Sequence, residues 1–101
     1  MSNTVRGEAA LHVGGREIRL RPTFDALVHA EDELGPLLAL VERAGAGELR
    51  LAEIAALFWH CAEANGDLAR DEIGRAVLSL GLARAAQPLR ILLGEILRGS
   101  E

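Results

Sequence analysis

The chain has 101 residues, half of them apolar and about a quarter charged, and its formal net charge is −4. This length suits one domain with one hydrophobic core, and the composition is that of a folded protein rather than a disordered one. The negative charge opposes non-specific binding to nucleic acid or to an anionic membrane. We therefore expect a single domain over residues 1–101 that binds protein partners, with no nucleic acid, membrane or small-molecule substrate.

Three features predict where the protein works. Cys61 is the only cysteine, so no disulfide can form within the chain. The N-terminal residues lack the apolar core of a signal peptide, and no apolar run approaches the roughly 20 residues that span a membrane. Together they predict a cytoplasmic protein.

Residues 5–21 alternate between apolar and polar in the manner of a β-hairpin, with Gly14-Gly15 as a two-residue turn. We expect Val13 and Arg16 to form an exposed pair beside this turn. Two strands alone leave both outer edges of the hairpin without hydrogen-bond partners, and such an edge can accept a strand from another chain. The turn pairs the remaining residues consistently on both faces: Leu11 with Ile18, Ala9 with Leu20, His12 with Glu17, and Glu8 with Arg21.

Residues 23–99 have the apolar periodicity of a helical bundle. Thr23 is a predicted N-cap, and Gly35 followed by Pro36 ends the first helix, with Pro36 at the first position of the second. The predicted helices are residues 24–34, a second after Pro36, residues 51–64, a fourth that ends at Gly81, and a fifth with the broadest apolar stripe. The fold class is therefore α+β and mainly helical: an N-terminal two-stranded antiparallel hairpin followed by four to five α-helices.

Pro88 complicates the last helix. Inside a helix it removes the hydrogen bond to the carbonyl of Arg84 and clashes there. We therefore expect a kink at Pro88, or a helix that begins near Gln87.

No group of residues has the pattern of a catalytic or metal site. His29 and Glu33 are four residues apart, but no third ligand is evident, so a solvated helix face is expected. His60 and Cys61 are neighbours on a helix and point about 100° apart, which favours a core cysteine over an activated thiol. Gly45-Ala46-Gly47 follows a helix rather than a strand, so it predicts a linker and not a dinucleotide-binding loop. We expect no enzyme activity, no catalytic or metal-binding residues and no cofactor.

The acidic run Glu31-Asp32-Glu33 opposes the dipole at the end of the first helix. Pairing with Arg19 and Arg21 of the second strand is the expected compensation, and a partner-binding acidic ridge is the alternative. Trp59 lies at the border of the apolar face of the third helix. The candidate partner interface comprises Arg19, Arg21, Glu31, Asp32 and Trp59.

The most specific feature of the sequence is a set of residues that follow one another in a particular order along the chain: Arg6-Gly7-Glu8, Leu20, Thr23, Ala26-Leu27, Glu31, Leu34-Gly35 and Arg43. It resembles the small proteins of gene transfer agents and tailed phages that are encoded among the tail genes and assigned to the tail assembly chaperone or tail-tube-associated class. The resemblance is densest over residues 6–43, and beyond them the Gly81-Leu82 step, the length and the helical character agree with it.

This resemblance implies a non-enzymatic protein that binds the tape-measure protein or the growing tail tube and keeps hydrophobic helical segments soluble until assembly. It also allows a homo-oligomer and a place in a virion-like particle.

Two alternatives stay open. One is a structural tail component that remains in the particle. The other is a helix-turn-helix regulator of DNA, with Arg84 and Arg90 on the recognition helix, although Pro88 and the net charge oppose it. The apolar residues that would fit that motif are Ile73, Val77, Gly81 and Leu82.

Overall fold

The computed structural model describes residues 9–63 and 65–99. Over these residues the predicted fold class is confirmed, because an antiparallel hairpin precedes five α-helices. The strands are β1 (Ala9–Val13) and β2 (Arg16–Leu20), and the helices are α1 (Phe24–Leu34), α2 (Leu37–Gly45), α3 (Leu51–Cys61), α4 (Arg70–Leu80) and α5 (Leu82–Arg98). A short 3₁₀ turn over Asn65–Asp67 joins α3 to α4.

The hairpin has the predicted register. Gly14 and Gly15 turn the chain with φ of 57° and 82°, values that side chains other than glycine rarely tolerate. The expected exposure of Val13 is wrong: this side chain is 5% exposed and lies on the buried face, while its partner Arg16 is exposed at the end of the sheet. Residues 5–8 lie outside the described residues, and so does the Glu8 half of the expected pair of Glu8 with Arg21. The confirmed pairs are Ala9 with Leu20, Leu11 with Ile18, and His12 with Glu17.

The outer edge of β2 is partly covered, so the expectation of two open edges is wrong for this strand. The Arg21 N–H donates to the carbonyl of Cys61 at 2.7 Å, and the Glu63 N–H donates to the carbonyl of Arg19 at 2.9 Å. Between these bonds Leu20 pairs antiparallel with Ala62. The same pairing explains why α3 ends at Cys61 rather than at residue 64, since the backbone becomes extended at Ala62 to follow the strand.

The predicted ends of α1 are confirmed. The Thr23 hydroxyl accepts a hydrogen bond from the Ala26 N–H at 3.2 Å, which satisfies one of the free donors of the first turn. Gly35 stops the helix with φ of 94°. Pro36 is the N-cap of α2 and not its first residue. The Leu37 N–H of that helix is satisfied by the carboxylate of Glu31 at 3.0 Å.

The core lies between one face of the hairpin and the helices. Helix α3 packs against α1, α4 and β2, whereas α5 packs against β1 and α4. Phe58 on α3 is fully buried, and burial of each large apolar side chain contributes about 1.5–3 kcal/mol. The other large side chains that are almost fully buried are Leu11, Leu20, Leu40, Leu57, Ile73, Leu92 and Val77.

Helix α5 runs without interruption through Pro88, so a start near Gln87 is wrong. Ala85 and Leu89 on either side of the proline are buried, and this packing offsets the loss of one backbone hydrogen bond. Among the described residues, no single helix has both the length and the apolar character needed to span a bilayer. Helices α4 and α5 reach that length and composition only as a pair, and they are bent by 117° where they meet.

Candidate functional site

A pocket of about 570 Å³ opens where the end of β2, the start of α1 and the end of α3 meet. The hydrogen bonds of residues 61–63 to β2 hold this junction together, and the Arg21 guanidinium donates to the Glu63 carboxylate there at 3.0 Å. We call this feature the junction pocket. It is lined by Arg21, Thr23, Asp25, Ala26, His29, Trp59, His60, Cys61, Ala62 and Glu63.

The junction pocket combines an apolar wall with both signs of charge. Ala26, Ala62 and Trp59 supply apolar surface, while Arg21 and Asp25 supply opposite charges. This mixture is typical of a surface that accepts a segment of another protein, where apolar contact gives affinity and a few polar groups fix orientation.

Cys61 lies in the wall of the pocket but does not have the properties of a nucleophile. Burial raises the pKa of its thiol to about 12, so it is protonated at neutral pH. The interpretation of Cys61 as a core cysteine is confirmed by its 2% exposure.

A cluster of four side chains borders the pocket and joins three helices. The Arg70 guanidinium donates to both carboxylate oxygens of Glu33, at 2.6 and 2.7 Å, and the His60 Nε2 lies 2.9 Å from the same carboxylate. Arg70 also lies over the ring of Trp59, 4.7 Å from its centroid. The indole N–H of Trp59 donates to the carbonyl of Leu68 at 2.8 Å. We call Glu33, His60, Arg70 and Trp59 the three-helix cluster.

The electrostatics of this cluster are those of a structural contact. The hydrogen bonds from Arg70 and His60 lower the pKa of Glu33 to about 2. A carboxylate with so low a pKa stays ionised at neutral pH and is a poor general acid or base. The cluster therefore fixes α1 and α4 to α3.

A second bidentate pair joins α2 to α3. Arg43, one of the residues that carry the resemblance, donates to both carboxylate oxygens of Glu53 at 3.0 and 2.9 Å. The Arg43 guanidinium lowers the pKa of Glu53, with a further contribution from the Arg50 N–H, which donates to the same carboxylate at 2.9 Å. The Gly45-Ala46-Gly47 segment between these helices forms the end and the following turn of α2, which agrees with a linker.

The expected compensation of the acidic run is wrong. Arg21 pairs with Glu63, and neither it nor Arg19 bonds to the carboxylates of α1 among the described residues. Glu33 is compensated by Arg70 and His60, and Glu31 by the Leu37 N–H. Helix packing brought these donors close, and the order of residues along the chain gave no sign of them.

The structure brings together two of the five candidate interface residues. Arg21 and Trp59 line the junction pocket, Arg19 is exposed on β2, and Glu31 and Asp32 lie on the exposed side of α1. Sequence reasoning missed Arg70 and Glu63, the partners of Glu33 and Arg21. They are 37 and 42 residues away along the chain, so no local spacing signals them.

His29 and Glu33 do not share a ligand site. The ring Nδ1 of His29 lies 2.9 Å from the backbone carbonyl of Asp25, and Glu33 points to α4. Over residues 9–63 and 65–99, no three His, Cys, Asp or Glu side chains are grouped so as to hold a metal ion.

Comparison with known families decides the relationship that the first strand and α1 suggested. The sequence model of the family described as "Phage tail tube protein, GTA-gp10" matches residues 6–99. The chain belongs to this family. No curated protein and no solved structure matches it.

Membership of the phage tail tube protein, GTA-gp10 family gives the chain a structural or assembly role in a phage-type tail, and the family is not one of enzymes. A tail protein works in contact with other proteins, as the composition suggested.

The helix-turn-helix alternative fits the structure poorly. That motif joins its helices by a turn of three or four residues, whereas Gly81 alone separates α4 from α5. Arg84 and Arg90 are six residues apart, which places them about 120° apart around α5 and not on one face.

Proposed function

We propose that this member of the GTA-gp10 family acts as a chaperone-like protein in tail assembly, by binding the tape-measure protein or the tail tube. The observation that carries the proposal is the junction pocket, which offers apolar surface beside the paired charges of Arg21 and Glu63. An extended or helical segment of a partner would place an apolar side chain against Ala26, Ala62 and Trp59. Its polar groups would then meet Arg21 and Asp25 at the rim.

The geometry of the junction pocket supports the binding of a protein partner rather than catalysis. The titratable groups beside the pocket whose pKa is clearly shifted are Glu33, ionised by its bonds to Arg70 and His60, Arg70 itself, and Cys61, protonated by burial. Glu33 is therefore ionised and cannot act as a proton donor. Cys61 is protonated and is not a thiolate nucleophile. Trp59 and Arg21, both candidates from the sequence, are the residues we assign to partner contact.

Co-expression with the neighbouring tape-measure protein tests this role. We expect the wild-type chain to raise the soluble fraction of the tape-measure protein and to co-purify with it. Reversal of a charge in the pocket, Arg21→Glu, should remove both effects, because it repels Glu63 and changes the rim. Arg16→Glu is the matched control: it makes the same change of charge on β2 but lies outside the pocket lining. Equal solubility with and without the chain would contradict the proposal.

The second candidate is a structural component that stays in the particle, and the family description as a tail tube protein favours it. Mass spectrometry of purified particles separates the two roles. A chaperone should be absent from finished particles, whereas a structural component should be present at a fixed ratio to the other tail proteins.

A further inference from the structure

Two carboxylates in the lining of the junction pocket keep the capacity to accept hydrogen bonds. The carboxylate of Asp25 makes no ion pair with another described residue. Arg21 donates to Glu63 through one nitrogen and reaches only Oε2, in contrast to the bidentate contact of Arg70 with Glu33. Within residues 9–63 and 65–99, the Oε1 atom of Glu63 therefore has no donor.

His29 adds a third acceptor because of the way its ring is bonded. Its Nδ1 lies 2.9 Å from the backbone carbonyl of Asp25, and a carbonyl oxygen can only accept, so Nδ1 carries the proton. In the neutral ring, Nε2 then holds the lone pair and accepts a hydrogen bond. Asp25 and His29 are four residues apart and line the pocket from one face of α1, while Glu63 lines it from the segment after α3. The pocket thus offers acceptors on three side chains.

The charges at the pocket favour a cation. Asp25 and Glu63 are negative, Arg21 is positive, and the positive group is already paired with Glu63. The start of α1 and the end of α3 both lie at the pocket, and their dipoles have opposite signs, so the contributions of the two helix ends oppose one another. The side chains therefore decide the preference, and their charge is negative.

The lining of the pocket suits lysine better than arginine. Ala26 and Ala62 are small, and a pocket of about 570 Å³ has room for a four-carbon stem along them. An ammonium group directs three donors to separate acceptors, whereas a guanidinium prefers the two oxygens of one carboxylate. The acceptors here belong to Asp25, His29 and Glu63. This chain contains no lysine, so the side chain has to come from a different protein.

We infer that the junction pocket binds a lysine side chain of the partner protein. The ammonium group donates to Asp25, His29 and Glu63, and the stem lies along Ala26 and Ala62. The inference rests on the proposed function for the source of the lysine. The preference of the pocket for lysine can nevertheless be measured without that partner.

Titration of the full chain with three short peptides tests this preference. The peptides are acetylated and amidated, and they differ only in a central lysine, norleucine or glutamate between two leucines. Trp59 is the only tryptophan and lines the pocket, so its fluorescence reports binding there. We expect the lysine peptide to bind about fivefold more tightly than the norleucine peptide, which has the same stem without the ammonium group. The glutamate peptide should bind most weakly.

Asp25→Asn should lower the preference for lysine over norleucine to less than about twofold, because it removes the unpaired carboxylate. Asp32→Asn is the matched control and should keep the preference, since Asp32 is an exposed aspartate of the same helix that does not line the pocket. The ratio of the two affinities is the deciding quantity, because general damage to the pocket would weaken both peptides alike. Circular dichroism checks that both variants are folded.

Carbodiimide cross-linking of the wild-type chain with co-purified tape-measure or tail tube protein then locates the contact. Because the chain has no lysine, an amide between Asp25 or Glu63 and a lysine identifies a residue of the partner. We expect such a cross-link in the wild-type complex. A complex that forms without a cross-link to either carboxylate would contradict the inference.

The peptide titrations can also overturn it by themselves. Failure of the lysine peptide to bind, equal binding of the lysine and norleucine peptides, tighter binding of the glutamate peptide, or a preference that survives Asp25→Asn would each do so. These results are independent of the co-expression test. If the chain prefers the lysine peptide but binds neither tail protein, only the proposed function fails, and if it binds a tail protein without this preference, only the inference fails.

Discussion

Glu33 on α1 accepts hydrogen bonds from both terminal nitrogens of Arg70 on α4, at 2.6 and 2.7 Å. This contact, with His60 of α3 beside it, fixes the end of α1 to the start of α4. It also compensates one of the three carboxylates that follow one another against the helix dipole at the end of α1.

We predict that Glu33→Gln destabilises the fold in a pH-dependent way. The pKa of Glu33 falls from 4.5 to about 2 in the folded chain, so its contribution to stability is present above pH 4.5 and is lost as the pH falls towards 2. The loss at pH 7 should be about 1 kcal/mol, since the carboxylate is partly exposed and solvent screens the pair.

Urea unfolding of both proteins between neutral and acid pH measures this difference. Asp32→Asn is the matched control, because the adjacent carboxylate makes no ion pair with the described residues and should show little effect. If the difference in the free energy of unfolding between the wild type and Glu33→Gln stayed constant from pH 7 to pH 2, the ion pair could not be its cause.

Gly35 has a backbone conformation that only glycine adopts readily, with φ of 94° and ψ of −176°. We expect Gly35→Ala to lower the free energy of unfolding by about 1–3 kcal/mol. Gly45→Ala is the control, because Gly45 is helical and a Cβ there meets no atom within 4 Å. It should be neutral or stabilising by up to about 1 kcal/mol. Thermal and urea unfolding distinguish the pair, and equal losses for both variants would contradict this account of the α1–α2 turn.

The thiol of Cys61 should react slowly in the native protein. It is 2% exposed and its pKa is about 12, so both access and thiolate content are low near neutral pH. Labelling with a chromogenic disulfide reagent at pH 8 measures the rate, and the urea-unfolded chain provides the control. We expect the native rate to be lower by at least about a hundredfold, because burial suppresses both factors. A native rate equal to the unfolded rate would place the thiol at the surface and reopen a reactive role.

The features that sequence reasoning predicted are those fixed within a few residues. The turn at Gly14-Gly15, the cap at Thr23 and the stop at Gly35 each depend on local conformational preferences. The hairpin register followed because a shift by one residue would expose its whole apolar face.

The features that could not be predicted from the sequence depend on packing between segments that are distant along the chain. The end of α3 is set by residues 61–63 joining the edge of β2, a contact that the helical periodicity of α3 does not encode. The pairing of Arg21 with Glu63 has the same origin, and so does the junction pocket. Pro88 is accommodated because burial of Ala85 and Leu89 outweighs a local penalty.

We propose that this tail tube family member works in tail assembly by binding another tail protein. The most direct measurement is affinity purification of the tagged chain from cells that are assembling tails, with the tape-measure and tail tube proteins quantified by mass spectrometry. We expect one of these two proteins to be enriched with the wild type and with Arg16→Glu, and to be lost with Arg21→Glu. Recovery of neither protein with the wild-type chain would contradict it.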